Sequence, residues 1–305
     1  MVAVVASCGG AQRDAVSTGR VLPSGPDPLA YLPAHPEVVY SVNVDAFRAS
    51  SLWANFARRF VARGSSAKLA VLAEHCHLDV VATLHVIRGA ITKWDEISTS
   101  STVIADGMDG ATAKACIAQI PQFHLDGQRA RFGPSGVATI DFVEPRTFVF
   151  ITGSRAQRTL DRSAPLRHDP GFLEMFDNID RNATAWAIVD GRIGVLAATR
   201  ARGVDVRWVA FSITPGADHV AFSVRIRFGE PAHAQTLAKE LEFKHPFEKL
   251  EVVASGTDLF VNAAMTDKQF FKVVFALGKA TGWLPDTPAS GSAPGNLGDG
   301  DRDGG

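Results

Sequence analysis

The sequence predicts an α+β fold of two similar halves, each an antiparallel sheet with packed helices. Three observations predict it. Short β-branched runs alternate with amphipathic stretches between residues 28 and 285. The helical segment 113–120 overlays on 234–241, each after a strand and with apolar groups at the same three-and-four spacing. The meander and helix of 128–160 resemble 249–274. Two such units would pair their sheets or pack face to face, because each sheet alone leaves one apolar side open.

The elements follow in order. Residues 37–44 (EVVYSVNV) form a half-alternating strand, and Ser50 caps a helix that carries Leu52, Trp53, Phe56, Phe60 and Val61 on one stripe. Residues 68–76 continue as a helix, then 83–88 and 101–105 return as strands. Asp109 caps a helix to about Ile120, and 128–132, 137–142 and 147–152 make an antiparallel meander before a short helix from Ser154. In the second half, Asp169-Pro170 is a helix start, with the cap followed by proline in the first turn. A strand over 184–189 precedes an expected helix over 191–200. Strands 204–213 and 219–228 alternate cleanly around the turn-forming TPGAD. Glu230-Pro231 opens a helix to about Leu241, a hairpin turns at Gly256, and Thr266-Asp267-Lys268-Gln269 is a capping box.

Composition sets the class. With 46% hydrophobic and 21% charged residues, and 31 Lys plus Arg against 32 Asp plus Glu, the chain is a folded protein of formal charge −1. That balance excludes a basic nucleic-acid binder, and no apolar run approaches the roughly 18 residues of a membrane helix. Residues 28–163 and 164–285 are the two expected halves. The tail, 286–305, has six glycines and four aspartates against one arginine, and is expected to be disordered.

Residues 1–27 are expected to be a signal remnant and flexible tether. Val5-Ala6-Ser7-Cys8 matches the processing site of a bacterial lipoprotein, in which small residues fit the peptidase and Cys8 carries diacylglycerol. The preceding run is short and lacks the basic start of a secretory signal. Either the true start lies upstream, or this is an ordinary N-terminus with a chance cysteine. The glycine-, proline- and serine-bearing stretch that follows suits a tether.

The segment 31–44 (YLPAHPEVVYSVNV) with 47–53 (FRASSLW) resembles the opening of mature domains in uncharacterised bacterial lipoproteins: an LP, a strand, and an LRxSPLW-type helix start. Ser51 stands where that pattern favours proline. Cys76-His77-Leu78-Asp79 and Cys116 fit the family's two later cysteines, with His77 and Val80 replacing glycine and proline. The resemblance implies an exported, membrane-tethered protein with no established activity. If Cys8 is lipidated, Cys76 and Cys116 remain as an even pair in an oxidising compartment, read as a disulfide; the alternative is two buried thiols.

Candidate chemistry is sparse. Ser65-Ser66-Ala67-Lys68 spells SxxK, in which Lys68 would activate Ser65, but Ser65 and Ser66 also suit a helix cap. Glu74, His75, Cys76, His77 and Asp79, joined by His85 and His124, collect metal-ligating groups that otherwise describe a helix end. Trp53 and Trp186 are expected in the core. Arg200, Arg202, Arg207, Arg225 and Arg227 cluster, with Arg225 and Arg227 on one strand face, read as a solvated sheet face. No cofactor, catalytic residue, metal ligand or nucleic-acid partner is assigned. The expectation is a non-catalytic, lipid-anchored envelope protein that meets the membrane through Cys8 and presents a surface to an envelope protein or small ligand. The alternative is a hydrolase using Ser65 and Lys68 or the histidine cluster.

Overall fold

The computed structural model describes residues 28–56, 79–93, 100–133, 138–153, 166–217, 219–243 and 249–272. Twelve strands form one antiparallel sheet: β1 (Val38–Asn43), β2 (Val86–Lys93), β3 (Ser100–Asp106), β4 (Phe123–Asp126), β5 (Arg129–Phe132), β6 (Ala138–Glu144), β7 (Thr147–Thr152), β8 (Ala185–Asp190), β9 (Val206–Pro215), β10 (Val220–Phe228), β11 (Lys249–Ser255) and β12 (Asp258–Met265). Their spatial order is β11-β12-β10-β9-β8-β1-β2-β3-β7-β6-β5-β4.

This corrects the expected α+β fold with packed helices to a mainly-β one, and of the two arrangements open to the halves it shows paired sheets. β1 pairs β8 antiparallel from Val38↔Val189 to Val42↔Ala185, so strands from residues 28–163 and 164–285 share one mainly-β sheet. Among the described residues the helices are few and mostly short. They are α1 (Val44–Arg48), α2 (Ser51–Phe56), α3 (Val80–Thr83), α4 (Gly110–Ile117), α5 (Pro170–Phe176), α6 (Ala197–Ala201) and α7 (Pro231–Phe243), of which α7 is the longest at 13 residues. The expected helix over 191–200 shrinks to a 3-10 turn, Gly194–Leu196, and α6. Asp190 takes the Arg192 backbone N–H at 2.8 Å and its guanidinium at 2.6 Å, holding the chain in a turn where the helix was to begin.

Local signals set the helix starts. Asp109 accepts the Thr112 N–H at 2.7 Å, and Asp169 accepts those of Gly171 and Phe172 at 3.0 and 3.1 Å. At the capping box, Thr266 N–H donates to Gln269 Oε1 at 2.8 Å and Gln269 N–H to Thr266 Oγ1 at 3.3 Å. β4 was not expected, being only four residues of which Phe123 alone is half-buried.

Because side chains alternate along each strand, the register divides the sheet into two faces. One face carries Val39, Ala90, Ile104, Val149, Ile151, Trp186, Ile188 and Ala210, and the 3-10 segments Pro28–Tyr31 and Leu166–His168 cover it together with α5. Leu32, Leu166, Phe172 and Met175 are fully buried in that core. The opposite face carries a cluster under α4, with Ala113, Ile117, Ala130, Phe142 and Phe148. A second cluster lies under α7, with Ala234, Ala238, Leu259 and Val261. At its centre Tyr40 lies flat against Gly89, where an added Cβ would meet Tyr40 Cζ at 2.4 Å. Burial pushes the Tyr40 phenol pKa up.

Candidate functional site

The first face continues past the core onto β9, β10, β12 and β11, and there it changes character. Register places Ser212, Ser223, Asn262 and Glu251 in one row across these strands, and Thr214, Ala221, Ala264 and Lys249 in the next. These residues, with Asp180 from the segment before β8, line a groove of about 620 Å³. Two alanines form its low floor. Ser223 Oγ donates to Asn262 Oδ1 at 2.8 Å, and Asn262 Nδ2 donates to Glu251 Oε2 at 3.4 Å. Lys249 has no ion-pair partner among the described residues.

One row along, Arg225 and Arg227 do share a strand face, as expected, but they are not simply solvated. Arg225 Nη2 lies 2.6 Å and Arg227 Nε 2.9 Å from Asp258, Glu174 of α5 bonds Arg227, and the Arg225 guanidinium lies 5.1 Å over Phe260. Burial pushes the Asp258 carboxyl up, but bonds from Arg227 and Arg225 outweigh it and hold its pKa below the ordinary value. The bonded Asp258 and Glu174 in turn raise the Arg227 pKa. This charged row is a wall beside the groove. Arg207 pairs separately with Asp205 at 2.9 Å, and Arg200 bonds the Gly191 carbonyl.

Elsewhere the sheet brings together a second polar cluster. His85 Nδ1 lies 2.7 Å from Asp45 Oδ2, and Arg146 Nη2 lies 3.2 Å from His85 Nε2. A guanidinium only donates, so Nε2 accepts and Nδ1 carries the proton that Asp45 accepts. The bond from His85 is the first cause holding the Asp45 pKa below its ordinary value, and Arg48 adds to it. With both ring nitrogens engaged, His85 has no free base nitrogen for proton transfer.

The sequence-derived candidates fall unevenly. Cys8, Ser65, Lys68, Glu74, His75, Cys76 and His77 lie outside the described residues. Cys116 is buried in α4 at 5% exposure. Asp79 accepts the Ala82 N–H at 2.9 Å, and His124 stands on edge strand β4, opposite Arg131, while His85 joins Asp45. Among the described residues no three His, Cys, Asp or Glu side chains gather to hold a metal, and no helix is long and apolar enough to cross a membrane. Trp186 is buried in the core as expected, whereas Trp53 is half-buried and packs edge-on against Phe47 at 5.7 Å. Sequence reasoning missed the groove. Its signal was a shared polar parity on β9, β10, β11 and β12, which only the pairing of β10 with β12 converts into one surface.

No protein-family model and no curated protein matches the chain. Solved structures do: crystal forms III and I of TP0453 each align with TM-score 0.54 at 12% identity, covering 83% of this chain and 99% of theirs. Crystal form IV gives 0.55 at 10% identity over 81% and 96%. At such identity the likeness establishes a shared fold: this chain has the overall architecture of TP0453.

Proposed function

We propose that this chain is an exported protein anchored to a membrane by diacylglycerol on Cys8, with a non-catalytic role in presenting a surface to an envelope component or small ligand. The observation that carries the binding role is the open polar groove on β9, β10, β12 and β11, placed beside a wall whose charges are already paired. Its side chains offer hydrogen bonds and a cation, Lys249, that has no ion-pair partner among the described residues, and among those residues no nucleophile is set against a base. The Val5-Ala6-Ser7-Cys8 pattern and the resemblance to bacterial lipoproteins support the anchor. The disulfide between Cys76 and Cys116 belongs to the same reading, supported by an oxidising address and the burial of Cys116 at 5%.

The test is metabolic labelling of the full-length gene product with an alkyne-bearing palmitate, followed by fractionation. Wild type should carry label and sediment with membranes, and Cys8→Ser should lose both. An unlabelled wild type in the soluble fraction would remove the anchor.

A further inference from the structure

Resting on that binding role, the groove's own chemistry narrows its ligand. We propose that it binds a neutral, hydroxyl-rich oligosaccharide, laid across the strands rather than along them. The low part of the surface is Ala221 and Ala264, side by side on β10 and β12, with Thr214 and Lys249 standing at its ends on β9 and β11. Three strand spacings of about 4.8 Å make it about 14 Å long. The volume, about 620 Å³, lies within the range of small-molecule sites.

The adjoining row supplies the recognition. Ser223 donates to Asn262, and Asn262 to Glu251, so the amide orientation is fixed and its second N–H points away from both partners. What remains unspent is that N–H, the lone pairs of Ser223, the other oxygen of Glu251, and the three donors of Lys249. Donors and acceptors therefore alternate across the strands, which suits ligand hydroxyls that are both. The remaining oxygen of Glu251, with two lone pairs, can also accept from ligand hydroxyls. Lys249 set against Glu251 and Asp180 leaves a formal charge of −1 (one positive, two negative), which disfavours phosphates and uronates. An extended peptide would instead satisfy its backbone on the outer edge of β11, which among the described strands pairs with β12 alone. Phe260 offers no stacking platform, because the Arg225 guanidinium occupies its ring face at 5.1 Å. Recognition is by hydrogen bonds from the polar row set over a floor that is largely apolar, with no ring to stack on, and is accordingly weak.

The experiment is saturation-transfer NMR and calorimetry on the purified protein with maltotriose, tri-N-acetylchitotriose and trigalacturonate. At least one neutral trisaccharide should bind with Kd of about 1 mM. Glu251→Gln and Asn262→Leu should each weaken it by about tenfold or more, with unchanged circular dichroism, and Ala264→Trp should block the floor. Trigalacturonate should show no transfer. Absence of transfer from both neutral sugars, equal binding of trigalacturonate, or undiminished binding by the folded variants would overturn the proposal. The lipid anchor is tested separately by Cys8 acylation, so its failure and that of the sugar site are distinguishable.

Discussion

The two wings of the sheet use the same order of elements and opposite chemistry on the same face. On one side β1, β2 and β3 lead into α4, and β7 returns to pair with β3; on the other β8, β9 and β10 lead into α7, and β12 returns to pair with β10. In the first wing the face is apolar and covered: Ile104 on β3 and Val149 on β7 are 2% and 0% exposed. In the second, the matching strands carry Ser223 and Asn262, both exposed. Backbone pairing holds both wings alike. Among the described residues, α5 and the 3-10 segments cover the face as far as β9 and touch β10 through the Glu174–Arg227 bond, and hydroxyls and amides replace aliphatic side chains beyond that point. The candidate site lies where the core stops, rather than in a cleft cut into it.

The sharpest way to break this comparison is to make one truncation in each wing. Ile104→Ala leaves a cavity in the core cluster that also holds Val149 and Ala90, and should cost about 3–4 kcal/mol. Ser223→Ala on the opposite wing should change stability by less than about 0.5 kcal/mol. Urea denaturation of the two variants measures both, and equal losses would mean that the second wing is covered after all.

A covalent difference comes next. α4 buries Cys116 where α7 places the half-buried Leu237 against its cluster. If Cys76 and Cys116 are joined, closing that loop contributes about 3–4 kcal/mol, and reduction should remove it. Denatured, unreduced protein should then expose at most one labelled thiol. Two or more would end the disulfide and leave Cys116 as a small hydrophobe.

Much of this was legible in the sequence, and the failures share one cause. Asp109, Asp169 and the Thr266–Gln269 box announced their helices because capping is settled within four residues. Gly256 announced its hairpin because φ +58° suits a residue without Cβ. The central pairing of β1 with β8 was illegible, since alternation gives a strand its faces but not its neighbour. Pairing of the two sheets and face-to-face packing therefore both remained open, and the register of β1 with β8 decides for pairing. His85 and Asp45, 40 residues apart, met for the same reason. The grouping of His85 with the histidines near Cys76 rested on proximity in sequence, and the described structure gives His85 a carboxylate and a guanidinium instead.

The wings also differ in how they hold charge. Arg129 and Asp141 make a one-to-one pair in the first, with Arg129 Nε 2.5 Å and Nη2 2.7 Å from the carboxylate. In the second, Asp258 serves two arginines. Asp258→Asn should cost about 2 kcal/mol, and more than Asp141→Asn, because two guanidinium groups lose their acceptor charge. The sign of the pH effect follows from the lowered Asp258 pKa. Its contribution is complete above the ordinary carboxylate value and is lost as pH falls through the depressed one. Wild type should thus lose more stability than Asp258→Asn between neutral and strongly acid pH. Parallel acid profiles would show that the pair contributes nothing net.

The smallest effect concerns the exposed cluster of the first wing, where solvent screens what burial sharpens elsewhere. Asp45 is held low first by the His85 bond and then by Arg48, with both partners near solvent. His85→Ala should let the Asp45 pKa rise toward its ordinary 3.8, seen by carboxyl carbon NMR, with the melting temperature nearly unchanged. Arg146→Leu removes the donor to Nε2 and frees that nitrogen, so its tautomer-sensitive nitrogen shift should move while Asp45 stays low. If Asp45 rises in Arg146→Leu as far as in His85→Ala, the guanidinium and not the imidazole bond governs it, and the tautomer assigned to His85 is wrong.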